Sequence, residues 1–330
     1  MKKCAIFLCL LTLCIIVVSV ASCGKSKGEK VMVLKLAHGL NTEHPVHKAM
    51  LFMAEKVKEK SAGKMRVDVY PSEQLGSERE CIERLQLGAL AMTKTSSSPM
   101  ESFVEKIKVL GLPYLFRDSE HYWKVLKGEI GKELLAAGES KGLKGVCFYD
   151  AGARSFYTAK KQIKTPADLA GMKIRVQKSP MAQEMVETMG GSPTPIDWGE
   201  LYTSLQQGVV DGAENNPPSL NTSRHYEICK FYTLDEHTRP PDIVLISTVV
   251  WKKMTPEQQQ ILQQAADESV EFQRELWKEF VAESLDKVKA AGVTITEPDK
   301  QPFRDAVKPM LEKYRDTEIG NLAEKIIEVQ

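Results

Sequence analysis

The sequence predicts an α/β protein folded as two lobes, and three observations predict it. Short β-like runs alternate with amphipathic helices from residue 31 onward, a β-α-β-α rhythm that builds a largely parallel sheet with helices on both faces. The stretch from Lys161 to Pro218 repeats that rhythm and places polar residues at its strand ends, where open α/β sheets bind ligands. A helical pattern beginning at Thr255 runs to Gly292 and would extend roughly 50 Å at about 1.5 Å per residue, long enough to span both lobes. A length of 330 residues suits roughly two domains of ordinary size.

The elements follow in order. Residues 31–38 read as a strand that delivers His38 to its end, followed by a helix from His47 to Lys60 that Gly63 closes. Met65 to Tyr70 alternates apolar and polar as a strand should, and Ser77 with Glu80 forms a capping box for a helix that Gly88 ends. Met92 to Pro99 reads as a polar, hydroxyl-rich loop after a short strand. Helices from Ser119 to Leu126 and onward to Glu139 lead to a strand from Gly145 to Tyr149. The small residues around Gly152 then allow the chain to cross between lobes. Met172 to Val176 is a strand carrying Arg175. Ser179 caps the next helix, with Pro180 in its first position. Asp197, with Glu200 three residues on, caps another that Gly208 stops. Val209 to Ala213 forms the companion strand, which leads into Glu214, Asn215 and Asn216. The stiff Arg239-Pro240-Pro241 stretch reads as the return crossing, and Ile243 to Trp251 as a strand rejoining the first lobe. Thr255, Pro256 and Gln258 start the long helix, and a last helix from Pro302 to Tyr314 covers the second lobe. These readings assign 31–152 plus 240–280 to the first lobe and 153–239 plus 281–330 to the second.

The chain begins with Lys2 and Lys3 and an apolar run from Cys4 to Ala21, read as a signal peptide over 1–22. Val20-Ala21-Ser22-Cys23 resembles a bacterial lipobox, so Cys23 is the expected lipidation site and 23–30 a polar tether. The rival reading is a transmembrane anchor, since about 18 apolar residues just suffice to span a bilayer; the small residues before Cys23 favour the lipoprotein. Cys81, Cys147 and Cys229 have no metal-ligand spacing and read as small core residues. With 45 Lys+Arg against 44 Asp+Glu, the composition lacks the basic excess of nucleic-acid binders.

Arg175 within a strand offers a planar fork of donors suited to a carboxylate; the competing reading is a structural ion pair. Arg154, beside the crossing at Gly152, could serve the same anion or tie the lobes together. Asn215 and Asn216 precede Pro217-Pro218, which alone would indicate a turn. Trp198 could be core or pocket wall. His38 could bond substrate hydroxyls, whereas His44 and His47 share a helix entrance and read as solvated; His237 reads as a support behind the site. No HExxH, GxGxxG or P-loop occurs. Of the two GxSxG matches, Gly24 to Gly28 lies in the polar tether, and Gly138 to Gly142 leads from a helix into a strand rather than from a strand into a helix as a nucleophile elbow does, so nothing in the sequence argues for catalysis, a metal or a cofactor.

TPADLAGMKIRV (165–176), GGSPTPIDWGELYTSLQQGVVDGAEN (190–215), YPSEQLGSERE and LGLPYLFRD resemble the substrate-binding proteins of tripartite ATP-independent periplasmic (TRAP) transporters, the DctP type. The resemblance covers nearly the whole chain after the signal segment. It implies a class II-like periplasmic binding fold, with the long helix spanning both lobes, and a receptor that hands a small carboxylated solute to a TRAP membrane permease. It implies that Arg175 clamps the carboxylate, that Arg154 lies close by, and that Asn215 donates its amide to substrate oxygens. Trp198 then lines the pocket and Glu78 faces the cleft. GARSFYT (152–158), GVVDGAENNPPS and SRHYEICKFYTLDEHTRPP are similar to the members that bind hexuronates such as D-glucuronate and D-galacturonate, for which Glu78, Asn215, Ser97 and His38 would serve the ring hydroxyls. A C4-dicarboxylate would need a second strong cation at the far end, and none is assigned there. The alternatives are another carboxylate or aldonate receptor, a sensory lipoprotein, or a cleft hydrolase.

Overall fold

The computed structural model describes residues 31–330, so the signal segment 1–22, the tether 23–30 and Cys23 lie outside the described residues. The strands are β1 (Met32–Ala37), β2 (Met65–Tyr70), β3 (Met92–Ser96), β4 (Leu143–Tyr149), β5 (Arg154–Thr158), β6 (Lys173–Val176), β7 (Ser192–Pro195), β8 (Gly212–Asn215), β9 (Phe231–Thr238), β10 (Asp242–Ser247) and β11 (Thr294–Thr296). They form two sheets, one ordered β2-β1-β3-β10-β4 and the other β11-β9-β5-β8-β6-β7. Both are mixed rather than wholly parallel. β10 runs antiparallel to β3 and β4, and β5 antiparallel to β8 and β9.

The chain passes between the sheets three times, between β4 and β5, again between β9 and β10, and a third time between β10 and β11. Gly152 in the first passage has φ +61°, and a Cβ there would stand 3.0 Å from the Trp277 ring. A side chain at that position would be both strained and crowded, which is why glycine stands there. Pro240 and Pro241 stiffen the second passage.

Trp277 belongs to the helix Pro256–Ala290, whose Thr255 cap and Gln258 satisfy each other's end of the chain as expected. This 35-residue helix reaches both sheets. Its Gln263 donates to the Val146 carbonyl, Gln273 donates to the Asp150 carbonyl, and Ser284 accepts from Asn221. Leu262, Ala265 and Val270 join the core of the first sheet, and Val288 joins the core behind the second. The caps at Ser77 and Ser179 also form as expected.

Several elements differ from the sequence reading. Met92–Ser96 is a fully buried central strand, not a loop. Its hydroxyls fit there because they bond to backbone, as Thr93 does to the Ala37 carbonyl. The strand expected to reach Trp251 ends at Ser247, whose side chain caps a short helix, Thr248–Trp251. Asp197 caps nothing with its side chain; its carboxylate pairs with Lys178 at 2.6 Å instead. The expected helix from Pro302 to Tyr314 is broken into Gln301–Ala306 and Lys308–Tyr314. Residues 318–328, assigned to the second lobe with no helix read there, form the helix Glu318–Glu328, which packs on the first: Arg117 donates to the Ile327 and Val329 carbonyls, and His121 bonds the Ile326 carbonyl. Its Ile319, Leu322 and Ile326 drive that docking by burial beside Val104 and Ile107.

Candidate functional site

Register places the polar groups at one edge of the second sheet. β8 lies between β5 and β6, with Asn215 opposite Ser155 and Ala213 beside Arg175. The C-terminal ends of β6 and β8 and the start of β5 therefore meet at that edge, next to the passage from the first sheet.

Arg175 is 2% exposed. Its Nε donates to the Ile196 carbonyl at 2.9 Å, and its guanidinium lies 5.6 Å from the Trp198 ring centre. Nη1 is buried and has no hydrogen-bond partner. Burial pushes the pKa of this guanidinium down, and Arg154 reinforces the shift. A buried donor left in this way costs about 1–3 kcal/mol, and more when charged, so the position is poised to receive an acceptor.

Arg154 is in the opposite condition. It grips the Glu214 carboxylate through Nε and through Nη2 at 2.7 Å, reaches the Glu214 carbonyl, and donates from Nη1 to Asn215 Oδ1 at 2.9 Å. Burial opposes ionisation of Glu214, but Arg154 and His237 outweigh it and hold the carboxyl at about 2. Burial likewise opposes charge on His237, and Asp235 at 2.7 Å outweighs it, raising the imidazole to about 9. His237 thus supports the site from behind, as the sequence suggested. Asn215 Oδ1 also accepts from the Asn216 amide, so the Nδ2 end of the side chain is the end left for a ligand.

Opposite these groups stands the first sheet. Glu78 opens its helix and accepts from the Ser96 amide at 3.0 Å. Lys94, buried in the middle of β3, lies 3.5 Å from Glu78 and 3.1 Å from Asp242. A cleft with about 460 Å³ of empty space, open solvent included, separates the two sides, with Arg154, Asn215, Asn216 and Trp198 on one wall and Glu78, Lys94, Ser96 and Asp242 on the other. Arg175 lines a smaller adjoining space of about 280 Å³, and Glu78, Gln177 and Trp198 border both. Contacts across the divide, including Ser96 to Gln177 at 3.3 Å and Asn41 to the Thr222 carbonyl at 2.6 Å, give a closed arrangement.

Five of the seven predicted site residues, Arg175, Arg154, Asn215, Glu78 and Trp198, border these two spaces, and two do not. His38 spends Nε2 on His47 at 3.0 Å, and burial with the nearby Lys94 pushes its pKa down to about 2. Ser97 is buried outside both spaces as the first residue of the short helix Ser97–Met100, and its neighbour Ser96, at the end of the strand, takes the wall position. His44 and His47 are buried rather than solvated: His44 caps its helix by accepting from the Val46 amide, and its ring packs 5.8 Å from Trp277. Lys94, Asp242 and Gln177 were missed. Lys94 is a cation on the wall opposite Arg154, contrary to the expectation that no second one stood there, but two carboxylates already hold it. A lysine in the middle of a strand of threonines was the available signal.

The model for bacterial extracellular solute-binding protein, family 7 (DctP), matches residues 36–317. The chain belongs to this family of TRAP solute-binding proteins. Among solved structures it is similar to a Bradyrhizobium TRAP periplasmic solute-binding protein in complex with D-galacturonate, at 42% identity and a TM-score of 0.87, covering 89% of this chain and 99% of that one. It is also similar to one from Pseudomonas putida F1 with bound D-glucuronate, at 38% identity and a TM-score of 0.87, covering 91% and 98%. A Polaromonas protein bound to D-erythronate matches at 30% identity and a TM-score of 0.88, covering 91% and 99%. The protein is thus an extracytoplasmic receptor of the class that binds small carboxylated solutes and works with permease subunits. Its architecture is the two-lobed DctP fold with the long helix in place. No helix among the described residues is long and apolar enough to cross a membrane.

Proposed function

We propose that this receptor captures a hexuronate, D-glucuronate or D-galacturonate, and delivers it to a TRAP-type ion-coupled permease. The observation that carries the reading is the unpaired Arg175 Nη1, buried beside a cavity whose other groups are a mixture of hydroxyl-scale donors and acceptors. A carboxylate on Arg175 would complete a charge-assisted pair in a place already shielded from water. Asn215 Nδ2, Glu78, Ser96 and Gln177 then offer partners for ring hydroxyls, and Trp198 covers the apolar ring face. Arg154 acts by holding Asn215 in position, since its own charge is spent on Glu214. The lobes turn about the passages at 150–153 and 239–241, and ligand contacts on both sides bias them toward closure.

Calorimetric titration of D-glucuronate, D-galacturonate, D-erythronate, succinate and sialic acid tests the assignment. Binding of at least one uronate more tightly than the other three supports it, and tight binding of any of those three with no response to the uronates overturns it. The Polaromonas relative makes the aldonate the alternative to beat. A product formed from any of these solutes would point to the hydrolase instead.

The chain is also proposed to be a lipoprotein held through Cys23, on the strength of Val20-Ala21-Ser22-Cys23 after the apolar run. Cys23→Ser is expected to abolish acylation and leave unprocessed precursor. A mature N-terminus mapped elsewhere by mass spectrometry, without an acyl chain, would sink that proposal.

A further inference from the structure

Lys94, Glu78 and Asp242 form a charge arrangement that the uronate reading does not by itself require. Lys94 is buried in the middle of β3, with side-chain exposure of 3%, and lies 3.5 Å from Glu78 and 3.1 Å from Asp242, themselves 15% and 7% exposed. Geometry holds all three in place. Glu78 is fixed by the Ser96 amide, and Asp242 pairs in register with Ser96 on one side and Tyr149 on the other. One cation therefore meets two carboxylates on the wall facing Arg154 and Asn215. Arg175, by contrast, faces the smaller adjoining space with Nη1 unpaired.

We infer that this trio makes the receptor reject a second carboxylate: the site reads a solute with one negative end, at Arg175, and an uncharged, hydroxyl-bearing end at Lys94, Glu78 and Asp242. A hydroxyl can accept from Lys94 and donate to either carboxylate, so a polyol end satisfies the set without changing its charge. A second carboxylate can only accept. It would compete with Glu78 and Asp242 for Lys94 while being repelled by both, in a space with little water to screen the repulsion. Specificity of this kind is built by repulsion against the wrong ligand as much as by attraction to the right one. The lysine alone would suggest a dicarboxylate site; its two partners reverse that reading. The inference rests on the sugar-acid reading above and narrows it to monocarboxylates.

The experiment compares D-galacturonate with galactarate, which carries a carboxylate at each end, by calorimetry on the wild type and on Asp242→Asn and Glu78→Gln. In the wild type galactarate is expected to bind on the order of 100-fold more weakly, as like charges brought together across an interface demand. Each variant is expected to narrow that ratio by about tenfold or more, because removing one carboxylate leaves Lys94 available. The readout is a ratio of two affinities within one preparation, so partial misfolding of a variant does not alter it. Near-equal affinities in the wild type, or a ratio unchanged in both variants, would overturn the inference while leaving the uronate assignment intact. Failure of the wild type to bind D-galacturonate or D-glucuronate at all would overturn the uronate reading and this inference with it.

Discussion

Two arginines flank β8 in the same sheet, both buried, and they are chemically opposite. Arg154 on β5 has its Nε, Nη1 and Nη2 all engaged, on the Glu214 side chain and carbonyl and on Asn215. Arg175 on β6 has one carbonyl partner and a buried Nη1 with none. The first belongs to a network that the protein completes by itself, running on through His237 to Asp235. The second is left incomplete. A buried charge that the fold does not satisfy is a cost to stability, and it is retained where a ligand satisfies it. The difference separates a residue that builds the site from one that uses it, although burial alone ranks them together at 5% and 2% exposed.

The comparison breaks first at Arg154. Arg154→Ala leaves Glu214 charged and buried without its partner, and is expected to lower unfolding free energy by about 3–5 kcal/mol in urea denaturation. Because Glu214 is held at about 2 in the fold, its contribution is present above the ordinary carboxylate range and is lost as pH falls toward that value. The wild type should therefore lose most of its advantage over the variant at acid pH. An equally stable variant at neutral pH would mean that the pair only breaks even.

Arg175→Ala should do the reverse. It removes an unsatisfied cation, so the ligand-free melting temperature is expected to stay level or rise. Affinity for the solute is expected to fall by about 2–5 kcal/mol, the cost of truncating one partner of a buried charged pair. Arg175→Lys keeps charge but not the planar fork and should fall between the two. Unchanged affinity in a folded Arg175→Ala protein would remove Arg175 from the site.

This contrast explains what could be read from the chain beforehand. Strand and helix order, the long helix and the capped starts at Ser77, Ser179 and Thr255 were legible because capping and periodicity are local. Arg175, Asn215 and Trp198 were legible through their place in recurring segments. Whether an arginine is paired was not, because Glu214 stands 60 residues from Arg154 in sequence and meets it only across the β5–β8 register. Lys94 was hidden for the same reason: Asp242 reaches it from a strand that returns only after β5 to β9 of the second sheet. Met92–Ser96 looked like a loop because hydroxyl-rich runs favour turns, and only its position between β1 and β10 gives those hydroxyls backbone partners. The final helix escaped because its docking partners, Arg117 and His121, lie some 210 residues earlier.

A buried carboxyl extends the contrast between paired and unpaired groups to the opposite charge. Glu101, 2% exposed, accepts from Ser179 Oγ at 2.7 Å and from the Met181 amide at 3.1 Å through Oε2, while Oε1 is buried without a partner. Gly111 packs so closely that an added Cβ would stand 2.6 Å from Oε1. Lys108 is the charged group that favours ionisation, and it does not prevail: burial pushes the carboxyl up to about 8. Glu214 is held down by an arginine; Glu101, with no cation bonded to it, is held protonated near neutrality. A carboxyl whose folded pKa is raised binds its proton more tightly folded than unfolded, so its penalty is absent below the ordinary carboxylate range, grows as pH rises, and levels off above about 8. Glu101→Gln keeps a carbonyl for Ser179 and Met181 and removes the titration. The variant is expected to match the wild type near pH 4 and to exceed it by about 3–5 kcal/mol at pH 8, the linkage of a carboxyl raised from its ordinary value to about 8 at roughly 1.4 kcal/mol per unit. Glu214 and His237 titrate in both proteins, so subtracting one urea-denaturation profile from the other isolates Glu101. A difference that stays flat from pH 4 to pH 8 would show that Glu101 is ionised in the fold, with a cation or water reaching Oε1, and would place it with Glu214 on the paired side of the comparison.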